Sequence, residues 1–367
     1  MYMKVLVVFH HPAPYKVKLF NELAKSIDLD VIFEISKAKN RTASFYKFNQ
    51  YHFNSIPVKL HRFPSKSFPK KDENIYGGAI ARYIRKHHKE YDHIIMNGYS
   101  KFAEIRAIKM MNRHHIPFIL MINGGVIRKD NKIRKYFKTK LISSASMYFS
   151  PNVQSNEYLI HYGADQNKIK LFKYSNILER EIVRKPLDED VKTQICLKYH
   201  LPYGTLFINP GQFIPRKNNE QLLRIFKDRK ETLLLVGRGP LQKKYETYIK
   251  ENNIHNIFIM DYLEEPQIKE VMKAATALIT LSKEDIFGHT VLEALAVGLP
   301  VISSNKVISS LEMIKNDVNG YIVSLDKEDE INEAISKVNN LDYNQIIKSL
   351  DHHTIEQTSK DIIEGLK

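Results

Sequence analysis

The sequence has few of the residues that mark several classes of protein. One of its 367 residues is cysteine, Cys196, and none is tryptophan. A single cysteine excludes a disulfide within the chain, which suits a reducing cytoplasm. No apolar run approaches the roughly 18 residues that a membrane-spanning helix needs. The first run, Val5–Phe9, is too short for a signal peptide. We therefore expect a cytoplasmic protein with Val5–Phe9 as a buried strand.

The sequence also lacks a recognisable metal site. It has no cluster of cysteine and histidine with the spacing of zinc ligands. Two Asp-x-Asp pairs remain, Asp28/Asp30 and Asp188/Asp190. A metal-binding pair is expected where a strand ends, whereas the first pair leads into a predicted strand. The second pair lies where a helix is predicted to start, a position that favours acidic residues. We therefore predict that no metal or other cofactor is required.

Charge is distributed unevenly along the chain. The formal net charge is +15, and residues 1–180 contain 32 basic and 13 acidic residues. The remaining residues contain 24 basic and 28 acidic residues, so the excess lies wholly in the first half. This asymmetry suggests an anionic partner for that half: a membrane surface, a lipid phosphate or nucleic acid. A basic surface that serves only solubility is the alternative.

Three basic segments interleaved with aromatic or apolar residues concentrate this charge: Arg128–Lys140, Ala81–Lys89 and His61–Lys71. Such segments are typical of proteins that bind the anionic cytoplasmic face of a membrane. No recognised nucleic-acid-binding motif is present, and we predict no nucleic-acid partner. The prediction is peripheral binding at the inner face of the plasma membrane, with a solvated charged face as the alternative.

Short apolar runs alternate with helix-like segments, a pattern that predicts an α/β fold with parallel sheets. The predicted strands are Val5–Phe9, Asp30–Glu34, Ile94–Asn97, Phe118–Asn123, Thr205–Asn209, Leu233–Val236, Ile257–Met260, Ala277–Leu281 and Val301–Ser303. A polar region at Leu178–Tyr203 interrupts the pattern. We predict one domain over residues 1–177 and another over 178–342. The final helix, about Tyr343–Leu366 within residues 343–367, is a candidate for packing back on the first domain.

Ligands of parallel α/β sheets bind beyond the carboxyl ends of the strands. In the first half, the residues at such ends are His10, His11, Asn97, Gly98, Asn123, Gly124 and Gly125. We treat His10, His11, Asn97, Asn123 and Gly124 as candidates for lining a ligand-binding cleft.

The most informative stretch is Glu284–Ala294, which follows a predicted strand and opens a predicted helix. Gly288, His289 and Thr290 would offer free N–H groups at a helix start, which suits a phosphate. Glu293, one turn later, can accept two hydrogen bonds from a ribose diol. Glu284 and Asp285 would then lie near a sugar attached to that phosphate. A surface acidic loop is the alternative.

Two further turns follow predicted strands. In Gly211–Asn218, the adjacent cations Arg216 and Lys217 are placed to neutralise a pyrophosphate and the charge that builds on it as it leaves. In Gly237–Pro240, the glycines permit a close approach of the backbone to a ligand.

Together these stretches resemble glycosyltransferase family 4, a retaining group with the GT-B fold of two Rossmann-like domains facing each other across a cleft. The acidic-x7-Glu signature of the family corresponds to Asp285 and Glu293, with Phe287, Gly288 and Ala294 also in place. Its phosphate-binding lysine corresponds to Lys217, whereas its usual arginine is Gln212 here, and Arg216 is a candidate to replace it. The segment Leu234–Pro240 and the run Asp317–Tyr321 also fit the family.

The resemblance implies a hexosyltransferase-type enzyme that holds a nucleotide-sugar, with UDP as the expected nucleotide, on its C-terminal domain. Arg216 and Lys217 would stabilise the leaving diphosphate, and Glu284 or Asp285 would contact the sugar. Gly211, Gly237, Phe287, Gly288, His289, Thr290 and Glu293 would bind the donor. The acceptor would be lipid-linked or a polysaccharide, as in bacterial capsule and exopolysaccharide synthesis.

Two alternatives stay open at this point. A sugar-nucleotide 2-epimerase of GT-B-like fold would hold the same nucleotide without an acceptor. A glycosyltransferase-like partner subunit without activity would also fit, since aspartate replaces the first glutamate of the signature and Gln212 replaces an arginine.

Overall fold

The computed structural model describes residues 2–38, 43–47, 50–57, 78–286 and 288–367. They form two compact units. Unit 1 contains the chain up to Asn176 together with His353–Lys367, and unit 2 contains Ile177–His352. The basic segment His61–Lys71 lies outside the described residues.

Unit 1 is built on a parallel sheet. Its described strands are β1 (Lys4–Phe9), β2 (Asp28–Phe33), β3 (Asn54–Ser55), β4 (His93–Met96), β5 (Ile119–Met121), β6 (Met147–Ser150) and β7 (Ile169–Leu171). Their order across the sheet is β3-β2-β1-β4-β5-β6-β7. Val7 of β1 lies opposite Val31 of β2 on one side and Ile95 of β4 on the other. The apolar run Val5–Phe9 is buried along its whole length, as expected for a central parallel strand.

The helices of unit 1 that precede residue 176 are α1 (Pro14–Leu23), α2 (Gly78–His87), α3 (Phe102–Arg113), α4 (Lys132–Ile142) and α5 (Val153–His161). Pro14 occupies the first turn of α1, where its missing N–H costs no helical hydrogen bond. Val17, Phe20 and Leu23 of α1 are buried, because they share one face at helical spacing.

Unit 2 repeats the plan of unit 1. Its strands are β8 (Leu206–Pro210), β9 (Thr232–Val236), β10 (Ile257–Met260), β11 (Ala277–Thr280), β12 (Val301–Ser304) and β13 (Gly320–Val323). All are parallel, in the order β10-β9-β8-β11-β12-β13. In both sheets the order reverses beside the first strand, which is the topology of doubly wound Rossmann folds. The predicted α/β class with two Rossmann-like domains is confirmed.

The helices of unit 2 are α6 (Glu189–Lys198), α7 (Asn219–Phe226), α8 (Gln242–Glu251), α9 (Glu265–Ala274), α10 (His289–Ala296), α11 (Ile308–Met313), α12 (Glu328–Lys337) and α13 (Tyr343–Lys348). In the ranges that the structure describes, no helix combines the length and the apolar composition needed to cross a membrane.

The prediction of one helix over Tyr343–Leu366 is wrong, because the segment forms two. Helix α13 belongs to unit 2, and a last helix, α14 (Ile355–Leu366), belongs to unit 1. His352, between them, has a φ of +67°, which a continuous right-handed helix does not allow. Thr354 then starts α14 afresh, since its side chain accepts a hydrogen bond from the N–H of Gln357.

Helix α14 packs beside α1 within unit 1. Ile355, Ile362 and Leu366 are buried, and the Thr358 hydroxyl donates to the carbonyl of Lys173 at 2.5 Å. The Asp361 carboxylate accepts the Lys173 N–H at 2.8 Å. The helix is therefore part of the packed body of unit 1.

Replacing Ile362 with alanine is expected to lower the free energy of unfolding by about 2–5 kcal/mol, since a fully buried side chain is lost and a cavity remains. Chemical denaturation followed by far-UV circular dichroism measures the change. Lys360→Ala, at an exposed position of the same helix, is the matched control and is expected to have little effect. Equal stability of the two variants would contradict the packed role of α14.

Candidate active site

Two glycines lie where β8 and β9 end. The N–H of Gly211 donates to the carbonyl of Val236 at 2.8 Å. Gly237 has a φ of +147°, and a Cβ there would lie 2.0 Å from the carbonyl oxygen of Gly211. Only glycine permits this approach of two backbones. The predicted donor-binding residues Gly211 and Gly237 are therefore in contact at the carboxyl edge of the sheet.

Lys217 reaches the same edge from a short 3₁₀ helix, Pro215–Lys217. Its Cε lies 3.4 Å from where a Cβ of Gly211 would be. Its Nζ lies 2.5 Å from Oδ2 of Asp285, and the two side chains are only 12% and 15% exposed. Because water is largely excluded, this ion pair is screened less than a surface pair.

Arg216 joins the same carboxylate from the solvent side. Its guanidinium lies 3.6 Å from Oδ2 of Asp285 and donates to the carbonyl of Glu284 at 3.2 Å. The Arg216 carbonyl accepts the N–H of Lys283 at 2.8 Å. The loops that follow β8 and β11 are thus tied together by both main chain and side chains.

Asp285 also contacts the start of α10. Its Oδ1 accepts the N–H of Gly288 at 3.0 Å, and Gly288, with a φ of +49°, is the N-cap of the helix. The main chain of Asp285 is held by Lys306 and Ile308, which bond its N–H and its carbonyl at 3.1 Å and 3.0 Å. One carboxylate therefore bridges two cations and a helix N-terminus.

Helix α10 carries the remaining predicted donor residues. His289 and Thr290 lie in its first turn and Glu293 in its second, and all three are half-buried. A spacing of three and four residues places them on one side of the helix. Val291 and Leu295 are buried in the core of unit 2. Phe287 lies outside the described residues.

The structure places most predicted donor-site residues of unit 2 along one edge. They are Gly211, Arg216, Lys217, Gly237, Glu284, Asp285, Gly288, His289, Thr290 and Glu293. Strands β8 and β11 are hydrogen-bonded neighbours at the point where the strand order reverses. Two cations beside the N-terminus of a helix form an arrangement that can bind a diphosphate.

Unit 1 has a second set of polar residues at the ends of neighbouring strands. His10 follows β1, Glu34 follows β2, Asn97 follows β4, and Asn123 lies just beyond β5. Nδ1 of His10 lies 2.7 Å from Oε2 of Glu34, and Nδ2 of Asn123 donates to Oδ1 of Asn97 at 2.9 Å. A cavity of about 340 Å³ is lined by the predicted residues His10, His11, Asn97, Asn123 and Gly124.

The sequence prediction missed two carboxylates at this edge. Glu34, only 4% exposed, was taken as the last residue of a strand, although its place at the strand end is a usable signal. Glu104 lies on α3 and also lines the cavity. It reaches the edge because Gly98, with a φ of +131°, has no side chain: a Cβ there would lie 2.4 Å from the Glu104 carboxylate.

The carboxyl group of Glu104 is buried and accepts two main-chain hydrogen bonds. Its Oε2 accepts the N–H groups of Ser100 at 2.5 Å and Lys101 at 2.7 Å, at the start of α3. Burial, reinforced by the negative charge of Glu34, raises the pKa of Glu104 to about 7. The carboxyl group is therefore protonated in a large fraction of molecules at neutral pH.

Residues of the two Asp-x-Asp pairs lie within a strand and at the start of a helix. Asp30 is buried within β2 and accepts hydrogen bonds from Asn54 at 2.7 Å and from the Tyr91 hydroxyl at 2.6 Å. Asp188 and Asp190 lie at the start of α6. In the part of the chain that the structure describes, no three His, Cys, Asp or Glu side chains are grouped as a metal site requires.

Comparison with known proteins places the C-terminal part of the chain in a family. Residues 203–360 match the family described as "Glycosyl transferases group 1". A protein named as an uncharacterized glycosyltransferase, MJ1178 of Methanocaldococcus jannaschii, is 21% identical over 297 residues, which is 77% of this chain and 81% of that protein.

Solved structures resemble both units together. HepE of Anabaena, solved in complex with UDP, has a TM-score of 0.77 and 14% identity, with 99% of each chain covered. The lipopolysaccharide outer core galactosyltransferase WaaB, solved in its apo form, has a TM-score of 0.70 and 16% identity, again with 99% of each chain covered. Residues 203–360 thus match the group 1 glycosyltransferase family, and the chain is a transferase with the GT-B type of fold.

Proposed function

We propose that the enzyme transfers a sugar, with retention of configuration, from a UDP-sugar to a lipid-linked or polysaccharide acceptor in the synthesis of a surface glycan. The observation that carries this proposal is the cluster of Arg216, Lys217 and the N-terminus of α10 within the group 1 domain. The UDP bound by HepE and the activity named for WaaB support the nucleotide and the kind of acceptor. Retention is inferred from the resemblance of Asp285 and Glu293 to the signature of a retaining family.

The diphosphate of the donor is assigned to the two cations. Lys217, mostly buried, offers a fixed positive charge, and the more exposed Arg216 offers a planar set of donors suited to phosphate oxygens. The N–H groups at the start of α10 add a partial positive charge. These groups stabilise the charge that develops on the diphosphate as its bond to the sugar breaks.

Asp285 and Glu284 receive different roles. Both oxygens of Asp285 are engaged, one by the cations and the other by the N–H of Gly288. Asp285 therefore positions Lys217 and the start of α10. Glu284, one residue earlier and half-buried, is the carboxylate we assign to the sugar hydroxyls.

The proposed reaction needs little chemistry from the protein beyond positioning and charge. The acceptor oxygen forms a bond to the anomeric carbon as the bond from that carbon to the diphosphate breaks. The diphosphate leaves with the electron pair and takes the proton of the acceptor hydroxyl, on the face where the new bond forms. Holding both reactants in this geometry supplies much of the rate enhancement.

Helix α4 supports peripheral binding to the inner face of the plasma membrane. Ile133, Tyr136 and Phe137 are 71%, 61% and 51% exposed. They lie among exposed basic residues, including Lys132 and Lys135, and the helix contains no acidic residue. Exposed apolar side chains surrounded by positive charge suit the interface of an anionic membrane. The exposed cations of α2, Arg82, Arg85 and Lys86, would add to the attraction, as would Lys89 just beyond the helix.

Calorimetric titration of UDP, GDP and ADP tests the donor site. We expect micromolar binding of UDP, weakened by about tenfold or more in Glu293→Ala, because hydrogen bonds between the ribose and a charged carboxylate are lost. Glu333→Ala removes an exposed glutamate from α12 and is expected to leave binding unchanged. If the wild type binds no nucleotide, the donor assignment fails and the inactive-partner alternative is favoured.

Asp285→Asn separates the two roles of the acidic pair. With the negative charge beside Lys217 removed, UDP is expected to bind about three- to tenfold more tightly, because the lysine no longer has a competing anion. Turnover is expected to fall, since Lys217 loses its orientation. Glu284→Gln is expected to leave the affinity for UDP unchanged and to weaken only the binding of the UDP-sugar.

The opposite pattern would reverse these assignments. If Asp285→Asn leaves the affinity for UDP unchanged and weakens only the binding of the UDP-sugar, Asp285 is itself the sugar ligand.

Co-sedimentation with liposomes tests the membrane proposal. We expect binding to vesicles that contain anionic lipid, and little binding to neutral vesicles. Lys132→Glu/Lys135→Glu in α4 is expected to abolish the binding. The control variant Lys243→Glu/Lys250→Glu makes the same change of charge at exposed positions of α8 and should bind more tightly than the α4 variant. Binding that does not depend on anionic lipid would contradict a specific role of α4. An equal loss of vesicle binding in both variants would contradict it as well.

A further inference from the structure

The cavity of about 340 Å³ in unit 1 is lined by several polar side chains. Its polar side chains come from different strand ends and from α3: His10 after β1, Asn97 after β4, Asn123 beyond β5, and Glu104. Phe9 and Met121, the last residues of the buried strands β1 and β5, also line it. The polar groups are therefore fixed by the core of the unit.

The two asparagines leave one hydrogen-bond donor and one acceptor unused. Nδ2 of Asn123 donates to Oδ1 of Asn97 at 2.9 Å. Nδ2 of Asn97 and Oδ1 of Asn123 are buried and have no hydrogen-bond partner among the described residues. Asn97 is only 5% exposed. Buried polar groups are normally paired, so this pair requires a partner that both accepts and donates. A hydroxyl group does both.

His10 adds a further acceptor to the lining. Glu34 is only 4% exposed, and its Oε2 lies 2.7 Å from Nδ1 of His10. A tautomer with its proton on Nδ1, directed at the carboxylate, leaves Nε2 as a hydrogen-bond acceptor. Oε1 of Glu34 is buried without a partner among the described residues. Glu34 therefore acts on the cavity through His10.

The cavity is acidic although the unit around it is basic. Glu104 lines it, Glu34 lies behind His10, and no lysine or arginine is among its described lining residues. Burial and the charge of Glu34 already raise the pKa of Glu104 to about 7, so negative charge is disfavoured here. An additional anionic group would face the same repulsion, and no lysine or arginine of the described lining offsets it.

We propose that this cavity is an acceptor subsite for an uncharged, polyhydroxylated glycosyl residue, and that Glu104 and Glu34 exclude residues carrying a carboxylate or a phosphate. The proposal rests on the proposed function, of which it names the class of acceptor. Ring hydroxyls accept from Asn97 and donate to Asn123 and to Nε2 of His10. The negative charge of a lipid carrier stays outside the cavity, where the basic surface of unit 1 is available to it.

Ligand-observed NMR titration of the full chain at pH 8.5 tests this selectivity, because Glu104, whose pKa is about 7, is mostly ionised at that pH. The probes are methyl hexosides of gluco, galacto and manno configuration and the matching methyl uronosides, in which a carboxylate replaces the C6 hydroxymethyl group. We expect at least one hexoside to bind about tenfold more tightly than its uronoside. Glu104→Gln is expected to bring this ratio below about threefold by improving uronoside binding. Glutamine keeps an oxygen for the N–H groups of Ser100 and Lys101, so the start of α3 is preserved.

Asn123→Ala provides a second and independent variant. It is expected to weaken hexoside binding about tenfold, because the amide that faces the ligand is lost. The ratio between hexoside and uronoside is expected to stay near that of the wild type, because the charges are unchanged. Thermal melting of each variant separates loss of binding from loss of folding.

Three results would overturn the proposal: equal or tighter binding of the uronosides by the wild type, no saturable binding of any hexoside, or an unchanged ratio in folded Glu104→Gln. UDP titration in the same samples distinguishes this failure from that of the proposed function. If UDP binds and the selectivity is absent, only the acceptor subsite is wrong. If UDP does not bind, the donor assignment is wrong as well.

Discussion

The contact between Lys217 and Asp285 determines the geometry of the polar edge of unit 2. The two residues are 68 positions apart in the sequence and meet because β8 and β11 are adjacent parallel strands. The same carboxylate accepts the N–H of Gly288 and so fixes where α10 begins. An aspartate is short enough to bond a main-chain N–H three residues later in its own loop, a local geometry common at the starts of helices. The positions of both cations and of Glu293 follow from this contact.

The two units use charge in opposite ways. Unit 2 contains the acidic half of the sequence, yet its strand edge presents two cations and a helix N-terminus. Unit 1 carries the basic excess, yet the lining of its cavity includes a buried carboxyl group and two histidines. The net charge of each unit therefore governs the long-range attraction of charged molecules, whereas the residues at the strand ends determine which ligand binds.

Strands and helices with strong local signals were predictable from the sequence. Strand Ile257–Met260 was placed to the residue, because an apolar run ends there at polar residues. Strand β7 was missed because two of its three residues are exposed and leave no apolar run. The break before α14 was missed because His352 adopts its positive φ without the glycine or proline that usually marks a helix end.

The candidate site was predictable as far as it consists of residues at strand ends. Gly211 and Gly237 follow predicted strands, and Asn97 and Asn123 are the last residues of two others. The rule that ligands bind beyond strand ends selects all four. Glu104 lies on a helix and enters the cavity through the space that Gly98 leaves, so its place depends on a tertiary contact. The division of roles between Glu284 and Asp285 likewise depends on distances that a sequence does not contain.

The return of α14 to unit 1 has a consequence for synthesis on the ribosome. In the sequence, unit 2 is inserted within unit 1, whose last helix follows the 176 residues Ile177–His352. Until that helix has left the exit tunnel, the surface of α1 that it covers faces water or another molecule. Unit 2 is continuous and can fold while unit 1 still lacks its closing helix. Unit 1 therefore begins first along the chain, but unit 2 is the first of the two to be fully synthesised. The basic unit 1 remains incomplete until α14 has been made.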